Sequence, residues 1–310
     1  MRLFKNILYV ADAEPAHASS IARVVSMAEK SQSRLAVIQV LSDVPEEYRD
    51  GMKFFHTRAL ESLIEPYRGR VNIESRTVTG IPFLEVIRSV LHNGHDLVIK
   101  NAEEPDFMKK LFGSDDMHLL RKCPCPVWLM RSLEKDTYTT VLAALDFNPL
   151  TPEDMGLAQA LNREILELAG LIALADKASL HLVHAWEAYA ETLMRFTGDI
   201  SHDRIVEHVR NQHLFHQKGL HQMAELLRER IGADAYNSLS PSFHMPKGPA
   251  KRMIPELAAT LQADLVVMGT ISRTGIAGLI IGNTAETILD QLRCSVVAVK
   301  PPGFVTPVQV

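Results

Sequence analysis

Residues 264–289 read DLVVMGTISRTGIAGLIIGNTAETIL, and this stretch decides the fold. Leu265 to Met268 form an apolar run that Gly269 closes, Gly275 and Gly278 lie in the loop beyond it, and Gly282, Asn283 and Thr284 open a segment with helical spacing. A strand apolar on both faces that leads through a glycine loop into a helix belongs to a parallel sheet covered on both sides. The same opening stands earlier in the chain as DLVIK, residues 96–100, followed by NAEEPDFMKKLFGSDD.

Working outward, the likeness between the two halves continues. Asp12 at the end of ILYVAD answers Asp146 at the end of VLAALD, and Gly80-Ile81-Pro82 answers Gly248-Pro249-Ala250. LFGS then LRKCPCPVWLM answers IIGN then LRCSVVAV. The shift between matched residues is 134 from Asp12 to Asp146, 145 from Leu35 to Leu180, 168 from Gly80 to Gly248 and 169 from Gly113 to Gly282. Two diverged copies of one domain account for this. The second copy carries an insertion of about a dozen residues after its first strand, in FNPLTPEDMGL, and another of about two dozen within residues 189–230. In the second half the pattern predicts strands at TVLAALD, LHLVHAW, SPSFHM, ADLVVMG and SVVAVKP. Helices are predicted at ALNREILELAGLIALADKA, IVEHVRNQHLFHQKGLHQMAELLRER, PAKRMIPELAATLQ and NTAETILDQLR. The fold class is therefore α/β, two tandem doubly wound domains with five-stranded parallel sheets. They are expected over residues 1–132 and 139–303, joined by RSLEKDTYT (131–139) and packed as an internal pseudo-dimer through PVWLMR and SVVAVK.

Bulk properties bound the function. The chain has 310 residues, 46% apolar and 23% charged, enough for two cores. A formal net charge of -4 gives no general attraction to nucleic acid. No apolar run reaches the length of a membrane span, and MRLFKNILYV is too short and too soon followed by Asp12 and Glu14 to read as a signal peptide, so the expected location is cytoplasmic. Three cysteines, Cys123, Cys125 and Cys294, include no C-x-x-C pair and fit a reducing compartment; Cys125 and Cys294 take matched places before a buried strand, where packing is their expected role.

In doubly wound sheets the ligand crevice lies beyond the carboxyl ends of the strands, where strand order reverses. That directs attention to Asp146 and to the segment after DLVVM. The glycines let backbone approach a ligand, the amides of a helix start attract an anion, Asn283 or Thr284 offers a side-chain hydrogen bond and Arg273 a planar fork for a phosphate. A second reading stands beside it: the glycines only permit turns, and Asn283 caps a helix. On the strand-end aspartate, DLVVMGT, the glycine loop and the ending CSVVAVKP, the chain resembles the universal stress protein family of the UspA superfamily. Its fold is adenine nucleotide alpha hydrolase-like, and its nucleotide-binding members carry G-x-x-G-x9-G-[ST]. The resemblance covers nearly the whole chain twice, as in the tandem members of the E type. It implies a stress-response binding protein rather than an enzyme. The implied ligand is ATP, AMP or a nucleotide-linked metabolite, with Mg2+ if ATP, in the second domain. It places ribose or base contacts on Asp146, Val183 or His184, Met268 and Gly269, and phosphate contacts on Gly282, Asn283 and Thr284. Ser272 stands where the second glycine belongs, which disfavours a tightly bound triphosphate. In the first half Asn101 replaces the first glycine, and Glu103, Glu104, Asp106, Asp115 and Asp116 would meet phosphate with like charge, so no ATP is expected there.

Eight of the 13 histidines fall between His181 and His244. His208, His213 and His216 share a helical region and could hold zinc with a carboxylate, although no short metal signature is present; partly exposed helix histidines are the plainer reading. No G-x-S-x-G elbow or complete Walker loop positions a nucleophile or a phosphate. A weak ATPase or phosphoryl-transfer activity with Mg2+, or a scaffold whose inserted helices contact a protein or RNA, are the alternatives. A further homodimer is left open.

Overall fold

The computed structural model describes residues 4–12, 18–102, 114–131, 135–147, 152–188, 190–197, 200–270 and 282–309. The first half runs β1 (Asn6–Val10), α1 (Ala18–Ser31), β2 (Arg34–Leu41), α2 (Arg49–Ile64), β3 (Asn72–Thr79), α3 (Pro82–Asn93), β4 (Leu97–Asn101), α4 (Ser114–Lys122) and β5 (Val127–Met130). The second runs β6 (Thr140–Ala144), α5 (Pro152–Asp176), β7 (Ser179–Val183), α6 (Glu191–Thr197), α7 (His202–Ile231), α8 (Ala233–Leu239), β8 (Ser242–His244), α9 (Ala250–Thr260), β9 (Leu265–Gly269), α10 (Asn283–Leu289) and β10 (Ser295–Val299).

Each half is a five-stranded parallel sheet with its first strand at the centre, and the two join into one sheet of order β3-β2-β1-β4-β5-β10-β9-β6-β7-β8. Only the seam is antiparallel, with Val296 opposite Leu129, Val297 opposite Trp128 and Ala298 opposite Val127. Because side chains alternate along a strand, the sheet has two apolar faces. Ile7, Tyr9, Val141 and Ala143 point to the layer of α1, α2, α5 and α7. Leu8, Val10, Leu142 and Ala144 point to the layer of α3, α4, α9 and α10. All five residues of β10 are buried, each of its three valines contributing about 1.5–3 kcal/mol.

The repeated aspartates Asp96 and Asp264 now have a physical reason. Asp96 accepts the backbone N–H groups of Lys5 and Asn6 at 2.7 and 3.0 Å, tying the start of β4 to that of β1. Asp264 does the same for Thr139 and Thr140 at 2.7 and 3.1 Å, tying β9 to β6. The linker is held by both halves: Arg23 donates to the Asp136 carbonyl at 2.6 Å, and Lys135 pairs with Asp264 at 2.6 Å.

The insertions turn out to be helical. α5 has 25 residues where α1 has 14, so the first insertion adds about three turns to the amino end of an existing helix. Pro152 at the first helical position allows this, because the N–H it lacks would have no partner there. The second insertion supplies α6 and lengthens α7, a 30-residue helix where α2 has 16, which packs on α5.

Candidate functional site

Strand neighbours bring together candidates that lie far apart in sequence. β6 sits between β7 and β9, with Ala144 opposite both Val183 and Met268, so Asp146, His184 and Gly269 arrive at one edge where strand order reverses. Gly282 donates its N–H to the Thr270 carbonyl at 3.0 Å, which returns the start of α10 to that edge, with Asn283 and Thr284 exposed. Ser272 and Arg273 lie outside the described residues. Asp146 is exposed, and its backbone is held by a two-way pair with the buried Asn162 of α5. Asp146 N–H donates to Asn162 Oδ1 at 3.2 Å, and Asn162 Nδ2 donates to the Asp146 carbonyl at 2.9 Å.

Three of these residues also have packing roles. Val183 and Met268 are buried in the core against α9 and α10, so their side chains do not face a ligand. Gly269 is small for its neighbour's sake: a Cβ there would lie 2.5 Å from Leu161 Cδ2 on α5. Added helix length after β6 lies over this edge, and glycine at 269 makes room for it.

His184 is buried, and its hydrogen bonds settle its tautomer. Nδ1 faces the Leu145 carbonyl at 3.1 Å, which can only accept, so Nδ1 carries the proton and Nε2 accepts from Nδ1–H of His216 on α7 at 2.9 Å. The Phe147 ring stacks on His184 with centroids 3.7 Å apart. Its other neighbour is Gly219 on α7, where a Cβ would fall 2.4 Å from the ring. Trp186 meets His213 edge-on and His216 at a tilt, and donates its indole N–H to the Met245 carbonyl at 3.2 Å. The inserted helix is thus clamped onto the wall that β6 and β7 present. Phe147, Leu161, Asn162 and Gly219 were not among the sequence candidates; the lone glycine inside a long amphipathic helix was the available signal, since it costs about 1 kcal/mol against alanine and calls for a packing reason. His208 is half-buried and His213 exposed. Among the described residues no three His, Cys, Asp or Glu side chains converge as metal ligands.

The first half fills the matched positions with polar residues. Asn101, matched to Gly269, is buried and donates to the Asp12 carboxylate at 2.8 Å, while Gln39 donates to the Asp12 carbonyl at 3.0 Å. Burial, and then the charge of Asp12, push the Tyr9 hydroxyl well above its ordinary pKa. Asp116 does not face an incoming phosphate as expected; it turns inward to a buried ion pair with Lys100 at 2.7 Å. A crevice of about 480 Å3 opens between the ends of β2 and β3, lined by Leu41, Asp43, Arg49, Ile81 and Asp115.

With this duplicated geometry in hand, comparison with known proteins is direct. The profile of the Universal stress protein family matches residues 3–131 and again 137–300. The chain belongs to the universal stress protein family. It is 30% identical to Universal stress protein E of Escherichia coli over all of this chain and 98% of that one. It is 26% identical to the Universal stress protein E homolog of Haemophilus influenzae over 96% and 98% of the two chains. A solved structure of a functionally unknown protein from Pseudomonas aeruginosa superposes with a TM-score of 0.69 at 26% identity, covering 96% of this chain and 93% of that one. A universal stress protein from Archaeoglobus fulgidus shares the fold at a TM-score of 0.64 and 17% identity, covering 95% and 98%. In this universal stress protein the family domain occurs in tandem, and no described helix is long and apolar enough to cross a membrane.

Proposed function

We propose that this is a non-catalytic, cytoplasmic binding protein of the stress response, holding a nucleotide or related phosphorylated small molecule at the carboxyl edge of its second domain. One observation carries the reading: the exposed Asp146 and the exposed helix start at Asn283 and Thr284 reach the same reversal point in the strand order, through β6 and through the Gly282–Thr270 hydrogen bond. The clamp shapes the ligand. Phe147 is covered by His184 and faces Gly219, so a base can stack there only if α7 yields, and the phosphate side is the more accessible part of the edge.

Calorimetric titration with AMP, with ATP and Mg2+, and with a sugar phosphate tests this. Binding of one of these in the micromolar range, weakened at least tenfold by Gly282→Trp, is the expected outcome; no heat with any of them, or binding indifferent to the substitution, ends the site assignment. Phosphate release from ATP that Asp146→Asn abolishes would instead make the protein a hydrolase.

A further inference from the structure

The site above leaves a buried sulfur pair at the seam unused. Cys123 follows α4, its N–H bonded to the Leu119 carbonyl, and Cys125 leads into β5, the strand that pairs with β10 of the other half. Both are free thiols, Cys123 fully buried and Cys125 8% exposed, and their sulfurs lie 3.6 Å apart. Two thiols in van der Waals contact need to close by only roughly 1.5 Å to reach the bonded distance. The second domain adds a cation: Lys300, just past β10, is buried, donates to the Leu120 carbonyl and to Thr270 Oγ1, and acts electrostatically on Cys123. Burial alone would raise the Cys123 thiol, but the hydrogen bond from Cys125, a backbone hydrogen bond and the Lys300 ammonium bring it below its ordinary value. The Cys123 sulfur and burial push Cys125 well up, so Cys123 is the more acidic thiol of the pair.

We propose that Cys123-Pro124-Cys125 is a reversible dithiol–disulfide site, oxidised by hydrogen peroxide and set at the joint between the two domains. The Cys123 thiolate attacks one peroxide oxygen, the O–O bond breaks, and hydroxide leaves to become water, giving a sulfenic acid. Cys125 sulfur then attacks Cys123 sulfur; the S–O bond breaks, and hydroxide departs with the Cys125 proton as a second water. Two thiols lose two electrons and two protons, and one peroxide is reduced to two waters. A ring closed across one intervening residue gains little chain entropy from the bond, which keeps it easily reduced.

The test is peroxide treatment of the folded protein, followed by alkylation and peptide mass analysis. The expected result is one peptide holding Cys123 and Cys125, unalkylated and lighter by two hydrogens, restored by a thiol reductant, with Cys294 alkylated throughout. Alkylation of both cysteines after a dose that oxidises free glutathione, or a bridge that forms only in urea, overturns the proposal. Lys300→Gln is expected to slow bridge formation several-fold at neutral pH, with the difference fading as pH passes about 8, where Lys300 itself loses its proton. Lys300→Arg should keep the rate, which separates the charge from a structural role. Equal rates in all three proteins overturn the part given to Lys300.

Discussion

The two halves began with one edge and changed it by different means. The first changed it in place: Asn101 bonds Asp12, and a buried Lys100–Asp116 pair joins β4 to α4. The second kept small or apolar residues there, Gly269, Met268 and Ala285 at the matched positions, and covered the edge from outside with added turns of α5 and with α7. Substitution inside a sheet demands partners for every new polar group, whereas insertion after a strand needs only a surface with room. This is why the first half shows a tight polar network and the second an aromatic and histidine clamp.

Exchanging these solutions should have the largest effect at the ion pair. Asp116→Ala leaves the Lys100 ammonium without its carboxylate partner in the core and should cost about 3–5 kcal/mol in urea unfolding. The double variant Lys100→Met with Asp116→Ala copies Met268 and Ala285 of the second half and should recover most of that loss; two additive losses would show that the halves are not interchangeable here. Next comes the clamp. Gly219→Leu drives a side chain into the Phe147 ring and should destabilise by about 1–3 kcal/mol, with Phe147→Ala relieving the clash in the same background. If the single variant melts like the wild type, α7 is not clamped as described.

The smallest effect is on pH dependence. His181 and His244 share a hydrogen bond of 2.9 Å across β7 and β8, where the first half has Ala36 and Arg76 at the matched positions. Burial lowers both imidazoles below the ordinary 6.5, and their mutual repulsion lowers His181 further. The unfolded chain therefore binds more protons than the folded one just below pH 6.5, so this contribution is present above that pH and is lost as pH falls. His244→Phe should flatten the decline in melting temperature between pH 6.5 and 5 relative to wild type; an unchanged slope would assign the decline to other groups.

The strand alternation and the duplication were legible because they are written in short apolar runs and fixed offsets, such as DLVIK and DLVVM, that local chemistry requires. Gly269 was not legible in its role: a glycine spared for a ligand and one spared for Leu161 of a lengthened helix look alike in sequence. Asn101 in place of Gly269 did signal a changed first edge, but its hydrogen bond to Asp12 joins residues 89 apart. The insertion after VLAALD read as added length without form, since propensity alone seldom tells whether such a segment continues a helix.

The amino-acid sequence by itself determined two α/β units in tandem and their strands, because hydrophobic periodicity and glycine placement are local properties of the chain. Only the tertiary structure decided the antiparallel register in which the expected β5–β10 seam pairs, that Phe147, His184 and His216 form one clamp, and that two cysteine sulfurs lie in contact beside Lys300. Those outcomes depend on which surfaces meet when both halves are packed, and their energies come from burial and short-range contact between residues that the chain itself keeps far apart.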